Sequence, residues 1–399
     1  MVRFNMETIV NKDNLERNIG LYSWFKVLTK RVFLPLITIQ LVNIGKVSVG
    51  DLAIIASVSV IVQIVLQLPT GYIADKWGNR IAILIGSFLM MLSPLFYIFM
   101  PNFLGGLFAA VFNFGGYTFL SGAVEAFIHD TLIALNKEGD YSKVMGKAQS
   151  YGLIGNIVLI SVVPATYAIN HNLPFFLGFI AQLIMFAIAL KFTFPIEKFE
   201  KHTVNPIEAI KTIVTVQTVA LFIFAGLMAG VMDQAPQYRE LLFQDIGIKV
   251  EYFGFLLAIG SVFGAIMGWY IHLFDKISQN KFYLIDMLFI SGCLCLIGLS
   301  RNQIVVVLGF ALFAAYSRVR LIIVQAKLLS NLQHVYKATL LSALSIFTSL
   351  GDIVAVTILA SNIHIYQYTK GYLLFGLEVL FVGLVMWIIM WRISKLPVR

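Results

Sequence analysis

Lys30, Arg31, Asp233, Arg318 and Arg320 each stand inside a long run of otherwise apolar residues. A charge at the centre of a hydrocarbon layer costs at least about 2.5–3.5 kcal/mol, so each needs a partner, a watery cavity or a route to the surface. Fixed cations can hold an anionic solute, and a carboxylate in an apolar site can gain and lose a proton. The chemistry these residues suit is therefore binding, release and proton exchange. Lys30 and Arg31 are neighbours, about 100° apart on a helix, and Arg318 and Arg320 differ by about 200°. In each pair one residue can face a given path while the other serves as a structural partner. Asp233 is the leading candidate for a carboxylate that takes up a proton. Asn113, with Gln63, Gln67 and Gln325, can hydrogen-bond a solute or simply join two helices.

The other acids have plainer readings. Asp352 reads as a satisfied partner, and Asp286 and Glu378 as members of structural pairs. Lys26 reads as a side chain reaching the aqueous surface. Glu125 and His129 share a helix face and suit a gate or an interfacial cap. A membrane-embedded enzyme would need acids, bases or ligands converging at one depth, and only His129-Asp130 comes near that. The six histidines are scattered without ligand spacing, so no metal is expected. No phosphate-binding glycine loop is present, which speaks against ATP as an energy source. A receptor or structural protein would not need deep charges that water can reach.

The elements that carry these residues follow from composition. Of 399 residues, 59% are hydrophobic and only 12% charged, about half the charged share of a soluble domain. Backbone cannot face hydrocarbon unbonded, so apolar runs of about 20 residues read as spanning helices. Twelve are expected, near residues 20–45, 51–68, 81–100, 103–130, 147–170, 174–194, 216–242, 252–274, 283–300, 303–330, 338–361 and 371–393. With the N-terminus inside, nineteen Lys and Arg fall in cytoplasmic segments and four outside, namely Lys46, Lys249, Arg301 and Lys370. That bias places both termini in the cytoplasm and accounts for the net charge of +9 without nucleic acid. Cys293 and Cys295 are two apart on a helix and do not suit a disulfide. The polar N-terminus does not read as a cleaved signal peptide.

One polar stretch between spans two and three, "LPTGYIADKWGNR" (Leu68 to Arg80), holds a glycine, an acid, a base and a second glycine in fixed order. A partial echo, "FDKISQNK" (Phe274 to Lys281), lies about 200 residues later, between spans eight and nine. The first stretch resembles the signature loop of the major facilitator superfamily at Gly71, Asp75, Lys76, Gly78 and Arg80, with Asn79 where a base is usual. The end of span four, "SGAVEAFIHDTL" (Ser121 to Leu132), resembles bacterial members as well. Two family marks of drug exporters are missing: span four has no arginine, and span five lacks the glycine-proline-diglycine pattern.

The resemblance implies an all-α membrane protein of two pseudo-symmetric six-helix bundles, residues 1–194 and 216–399, joined by a cytoplasmic linker at 195–215. Spans one, four, seven and ten would line a central cavity, placing Lys30, Arg31, Asn113, Asp233, Arg318 and Arg320 on a solute or proton path. Gly71, Asp75, Lys76, Gly78, Arg80, Glu125 and Asp130 would form a conformational latch, with Arg80 substituting for the base absent at Asn79. The implied activity is secondary active transport by alternating access, without a cofactor and driven by a proton gradient. Proton-coupled efflux of a small amphiphilic compound is the favoured form. The basic balance of deep charges keeps uptake or export of an anionic metabolite as the alternative. A monomer in the plasma membrane is expected, with the lipid bilayer and a small solute as its partners.

Overall fold

A computed structural model describes residues 12–30, 32–195, 216–269, 274, 277–329 and 337–393. Arg31, the linker from 196 to 215, Asp275 and Lys276 lie outside the described residues, as do the side chains of Asp75 and Gln325. Among the described residues every regular element is helical, and ten segments are long and apolar enough to cross a membrane.

Helices α1 (Lys12–Leu28), α2 (Val49–Trp77), α3 (Asn79–Phe99), α4 (Phe103–Leu120), α5 (Ala123–Ala134), α6 (Tyr141–Val162) and α7 (Leu173–Leu190) build the first half. Local chemistry sets their ends. Ser48 and Asp51 form a capping box that starts α2, and the Asn102 side chain accepts from Gly105 N at 3.0 Å to start α4.

The first span is not continuous. Helix α1 stops at Leu28, and helix resumes only over Leu34–Ile44, with Pro35 at its first turn. Proline has no amide hydrogen to donate back into the preceding turn. Thr29 bonds the carbonyl of Lys26 through its hydroxyl at 2.8 Å, and Gln182 donates to the Leu28 carbonyl at 3.3 Å. The break is thus satisfied within the protein. Lys30 lies in this bend rather than on a helix face, so the 100° separation from its neighbour does not apply to it.

The polar stretch from Gly71 to Arg80 also differs from expectation. Helix α2 continues through Gly71 to Trp77, and the whole turn is made by Gly78, at φ 91° and ψ 155°. Glycine alone adopts that conformation without strain.

The second half contains α8 (Val216–Gln234), α9 (Arg239–Asp245), α10 (Phe253–Trp269), α11 (Gln279–Leu299), α12 (Gln303–Leu329) and α13 (Lys337–Ile393). Helix α13 is broken at Gln367, whose φ is 67° and ψ 178°. That position falls in the gap expected between the last two apolar runs.

The halves meet at the end of the bundle that carries Asn43. There Asn43 donates to Gln244 at 3.3 Å, and the Tyr238 hydroxyl donates to the Val49 carbonyl at 3.2 Å. Residues Pro164–Ala168 pack on Val250–Tyr252. A side-chain carbon at Gly254 would overlap the Ile160 carbonyl, so α6 and α10 touch backbone to backbone. One continuous apolar core crosses between the halves at this end, joining Leu36, Ile39 and Leu52 to Leu242, Phe243 and Phe253. At the opposite end, near Gly78, the first half keeps a separate core around Phe25, Phe127 and Phe192. Helix α2 also packs along α13.

Gly78→Ala is expected to destabilise the fold by about 1–3 kcal/mol, the cost of holding a side chain in a glycine-only conformation. Gly71→Ala, within the helix and with open space around it, is expected to be neutral or mildly stabilising. Thermal unfolding in detergent checks both.

Candidate functional site

The sequence "DQAPQYRE" (Asp233 to Glu240) shapes the site. Pro236 cannot continue the hydrogen-bond ladder of α8, so the chain tightens into a 3-10 turn over Ala235–Tyr238 before α9 begins. The Tyr372 hydroxyl donates to the Ala235 carbonyl at 2.6 Å, and Tyr238 ties the same turn to the first half. Asp233 and the Arg239–Glu240 pair therefore flank a fixed helix interruption.

A cavity of about 570 Å³ opens beside that interruption. The first half contributes apolar and neutral polar walls, among them Thr38, Ile55, Ser59, Gln63 and Phe114. Among the described residues, the second half contributes every ionisable lining residue other than Tyr97: Asp233, Arg239, Glu240 and Asp352. Arg239 binds Glu240 at 2.5 Å, and Glu240 is buried. Gln234 hydrogen-bonds the Asp352 carboxylate, yet Oδ1 of Asp352 is buried without a partner among the described residues.

Two smaller cavities extend from the first. One of about 320 Å³ is lined by Asp233, Arg320, Ser317, Ser345 and Thr348. Another, of about 270 Å³, is lined by Gln63, Gln67, Thr70, Gly71 and Ser345. Asp233, Gln63 and Ser345 are shared, which strings the cavities toward the Gly78 end.

The deep charges separate accordingly. Asp233 lines two cavities. Arg320 reaches the edge of one, but its guanidinium is held by Asp286, with Nε 2.8 Å from Oδ1 and Nη2 2.9 Å from Oδ2. Tyr316 donates to the same carboxylate at 2.7 Å. Both ends of this ion pair are buried, so Arg320 is chiefly a bound structural charge and Asp286 its partner, as expected. Arg318 turns to α10 and donates to Ser261 at 2.9 Å. Lys30 stands beside Gly152 on α6. Asn113 is buried within α4. Arg318, Lys30 and Asn113 line none of the three cavities. Among the described residues the main cavity is lined by three carboxylates and one guanidinium, and Arg31 lies outside those residues.

At the Gly78 end, Asn79 itself reaches Asp130, at a long 3.4 Å, while Arg80 is exposed and forms no ion pair among the described residues. Lys76 lies over the Tyr72 ring at 5.4 Å. Glu125 pairs with Lys26 at 2.6 Å rather than with His129, which faces Glu138 at 3.9 Å. Lys26 is thus a partner, not a free surface group. Lys137 binds Glu16 at 2.8 Å and holds its carboxyl below the usual range.

Sequence reasoning gave Asp352 a satisfied role and did not single out Thr38 or the Arg239–Glu240 pair. The available signal was a proline between two charged positions, since an interrupted helix is where a membrane protein can aim polar groups inward. Glu378, by contrast, accepts from Asn362 at 2.7 Å, as a structural pair should.

Residues 19–356 match the Major Facilitator Superfamily. The chain is 22% identical to the uncharacterized MFS-type transporter YxaM of Bacillus subtilis over 292 residues, covering 70% of this chain and 72% of that protein. It is 21% identical to the uncharacterized MFS-type transporter MJ1560 of Methanocaldococcus jannaschii over 316 residues, covering 76% and 80%. The crystal structure of the nucleoside transporter NupG superposes with a TM-score of 0.78 at 12% identity, covering 96% of this chain and all of that one.

Asp286→Ala strands the buried Arg320 charge and is expected to destabilise the protein by about 3–5 kcal/mol. Replacing both, Asp286→Leu with Arg320→Met, should recover most of that loss. Unfolding midpoints of the two variants, against the unaltered protein, check the pair.

Proposed function

Because the chain belongs to the major facilitator superfamily, we propose that it is a secondary active transporter that moves a small solute by alternating access through the cavity between its halves. The carrying observation is the 570 Å³ space walled by both halves and roofed by their packing at the Asn43 end. Its size suits a small organic molecule. The separate core at the Gly78 end supports a molecule poised to open there.

In this reading the broken segment through Leu34–Ile44 is one span and α13 is two, which brings the ten apolar segments to twelve. The halves are residues 1–194 and 216–399, joined by the 195–215 linker. The excess of basic residues puts the Gly78 end and both termini in the cytoplasm of a plasma-membrane monomer. The Gly71–Arg80 stretch, with Asp75, Glu125 and Asp130, acts as the cytoplasmic latch.

A proton gradient drives the cycle, with Asp233 as the exchanging carboxylate. It borders two cavities and shares their lining with four other charged groups: Asp352 on α13, Arg239 and Glu240 on α9, and Arg320 on α12. Efflux of an amphiphilic compound is the favoured direction. The carboxylate excess among the described lining residues of the main cavity weighs against an anionic metabolite.

Single cysteines at Ser59 and Gln237, in a background lacking Cys293 and Cys295, should label from opposite sides of the membrane in different states. Labelling from one side only, under every gradient, would overturn alternating access. Asp233→Asn should abolish pH-driven flux in proteoliposomes while leaving the unfolding midpoint nearly unchanged. Retained pH-driven flux would remove Asp233 from coupling. Asp75→Asn should slow turnover without altering solute choice, and a changed solute range would remove it from the latch.

A further inference from the structure

Six buried side-chain polar atoms have no hydrogen-bond partner among the described residues, and three of them line the main cavity: Thr38 Oγ1, Arg239 Nε and Asp352 Oδ1. Buried polar atoms are nearly always bonded, so three gathered on one cavity point to a ligand. Thr38 is only 5% exposed and comes from the first half, while the other two come from the second. The three are therefore drawn from both sides of the space a solute would occupy.

Their chemistry differs. Asp352 Oδ1 accepts and needs a donor. Arg239 Nε–H only donates and needs an acceptor. Thr38 can do either. Charge sharpens the requirement. Glu240 is neutralised by Arg239 and Arg320 by Asp286, which leaves Asp233 and Asp352 as the cavity carboxylates without a bound cation among the described residues. The facing wall offers Leu34, Ile37, Ile55 and Phe114. A bare metal ion would use neither that wall nor Arg239 Nε. A quaternary ammonium would bring no N–H to Asp352. An anion would face two carboxylates.

We infer that the cavity selects a protonated primary or secondary amine bearing a hydrogen-bond acceptor on an apolar body. The ammonium sits against Asp352 and Asp233, the acceptor meets Arg239 Nε and Thr38, and the body lies on the Leu34–Phe114 wall. This rests on the transporter reading and narrows its solute.

Four probes of similar size separate the requirements: phenylalaninamide (ammonium and carbonyl), 2-phenylethylamine (ammonium only), 3-phenylpropanamide (carbonyl only) and 3-phenylpropanoate (anion). Titrated into the purified full chain, phenylalaninamide should bind about tenfold or more tightly than each of the others, the scale of one charge-assisted hydrogen bond. Asp352→Asn should weaken both amines about tenfold and leave 3-phenylpropanamide unaffected, whereas Asp352→Glu should keep the preference and so separate loss of charge from misfolding. Thr38→Val should narrow the gap between phenylalaninamide and 2-phenylethylamine. Tightest binding by 3-phenylpropanoate, or an equal response to all four including none, would overturn the inference. If the cysteine at Gln237 still alternates between sides in that case, only the choice of solute is wrong; if it does not, the transporter reading falls with it.

Discussion

Hydrocarbon offers no hydrogen bonds, and the architecture depends on that constraint. Every interrupted helix and every buried charge must be satisfied by protein or by an enclosed polar space. The break after Leu28 is met by Thr29 and Gln182. The turn at Ala235–Tyr238 is met by Tyr372. Arg320 is met by Asp286 and Tyr316. Once those obligations are discharged, the groups left over are concentrated at the main cavity. The functional site is what remains after the structural pairs are subtracted.

This subtraction explains which parts of the sequence were legible. Apolar runs and the bias of Lys and Arg report on the bilayer directly, because each residue there interacts with solvent or lipid one at a time. The apolar runs anticipated an all-helical chain, in which ten segments among the described residues are long and apolar enough to cross a membrane, and a gap near Gln367. The pairing of Asp286 also followed, since an acid on an outer helix has few options. Arg320 and Arg318 could not be separated from a cavity role by spacing alone. A helical angle says two residues diverge, not which one meets a carboxylate 34 positions away. Asp352 was undervalued for the same reason: its cavity position depends on α13 packing along both α8 and α2.

The polar stretch at Gly71–Arg80 illustrates a second limit. Its glycines suggested a loop, yet Gly71 is helical and only Gly78 bends the chain. Composition marks where backbone freedom exists, while the neighbouring helices decide where it is used. Asn79 shows the converse: at the position where the resembling family has a base, a neutral amide still reaches Asp130. The contact then carries dipole rather than full charge, and an interaction of that kind is weaker and less sensitive to ionic strength.

All the carboxylates of the main cavity are built into the second half, and among the described residues the first half lines it with no cation. Such an arrangement makes the carrier's own electrical balance depend on whether it is loaded. Empty, the moving unit would bear two unpaired carboxylates; occupied by a singly charged cation, it would carry one negative charge fewer. Each elementary charge displaced across the full membrane potential is worth about 2.3 kcal/mol per 100 mV. Voltage would therefore act more strongly on the vacant carrier than on the loaded one, so the resting potential of the cell, and not only its solute gradients, would govern how fast the cycle resets.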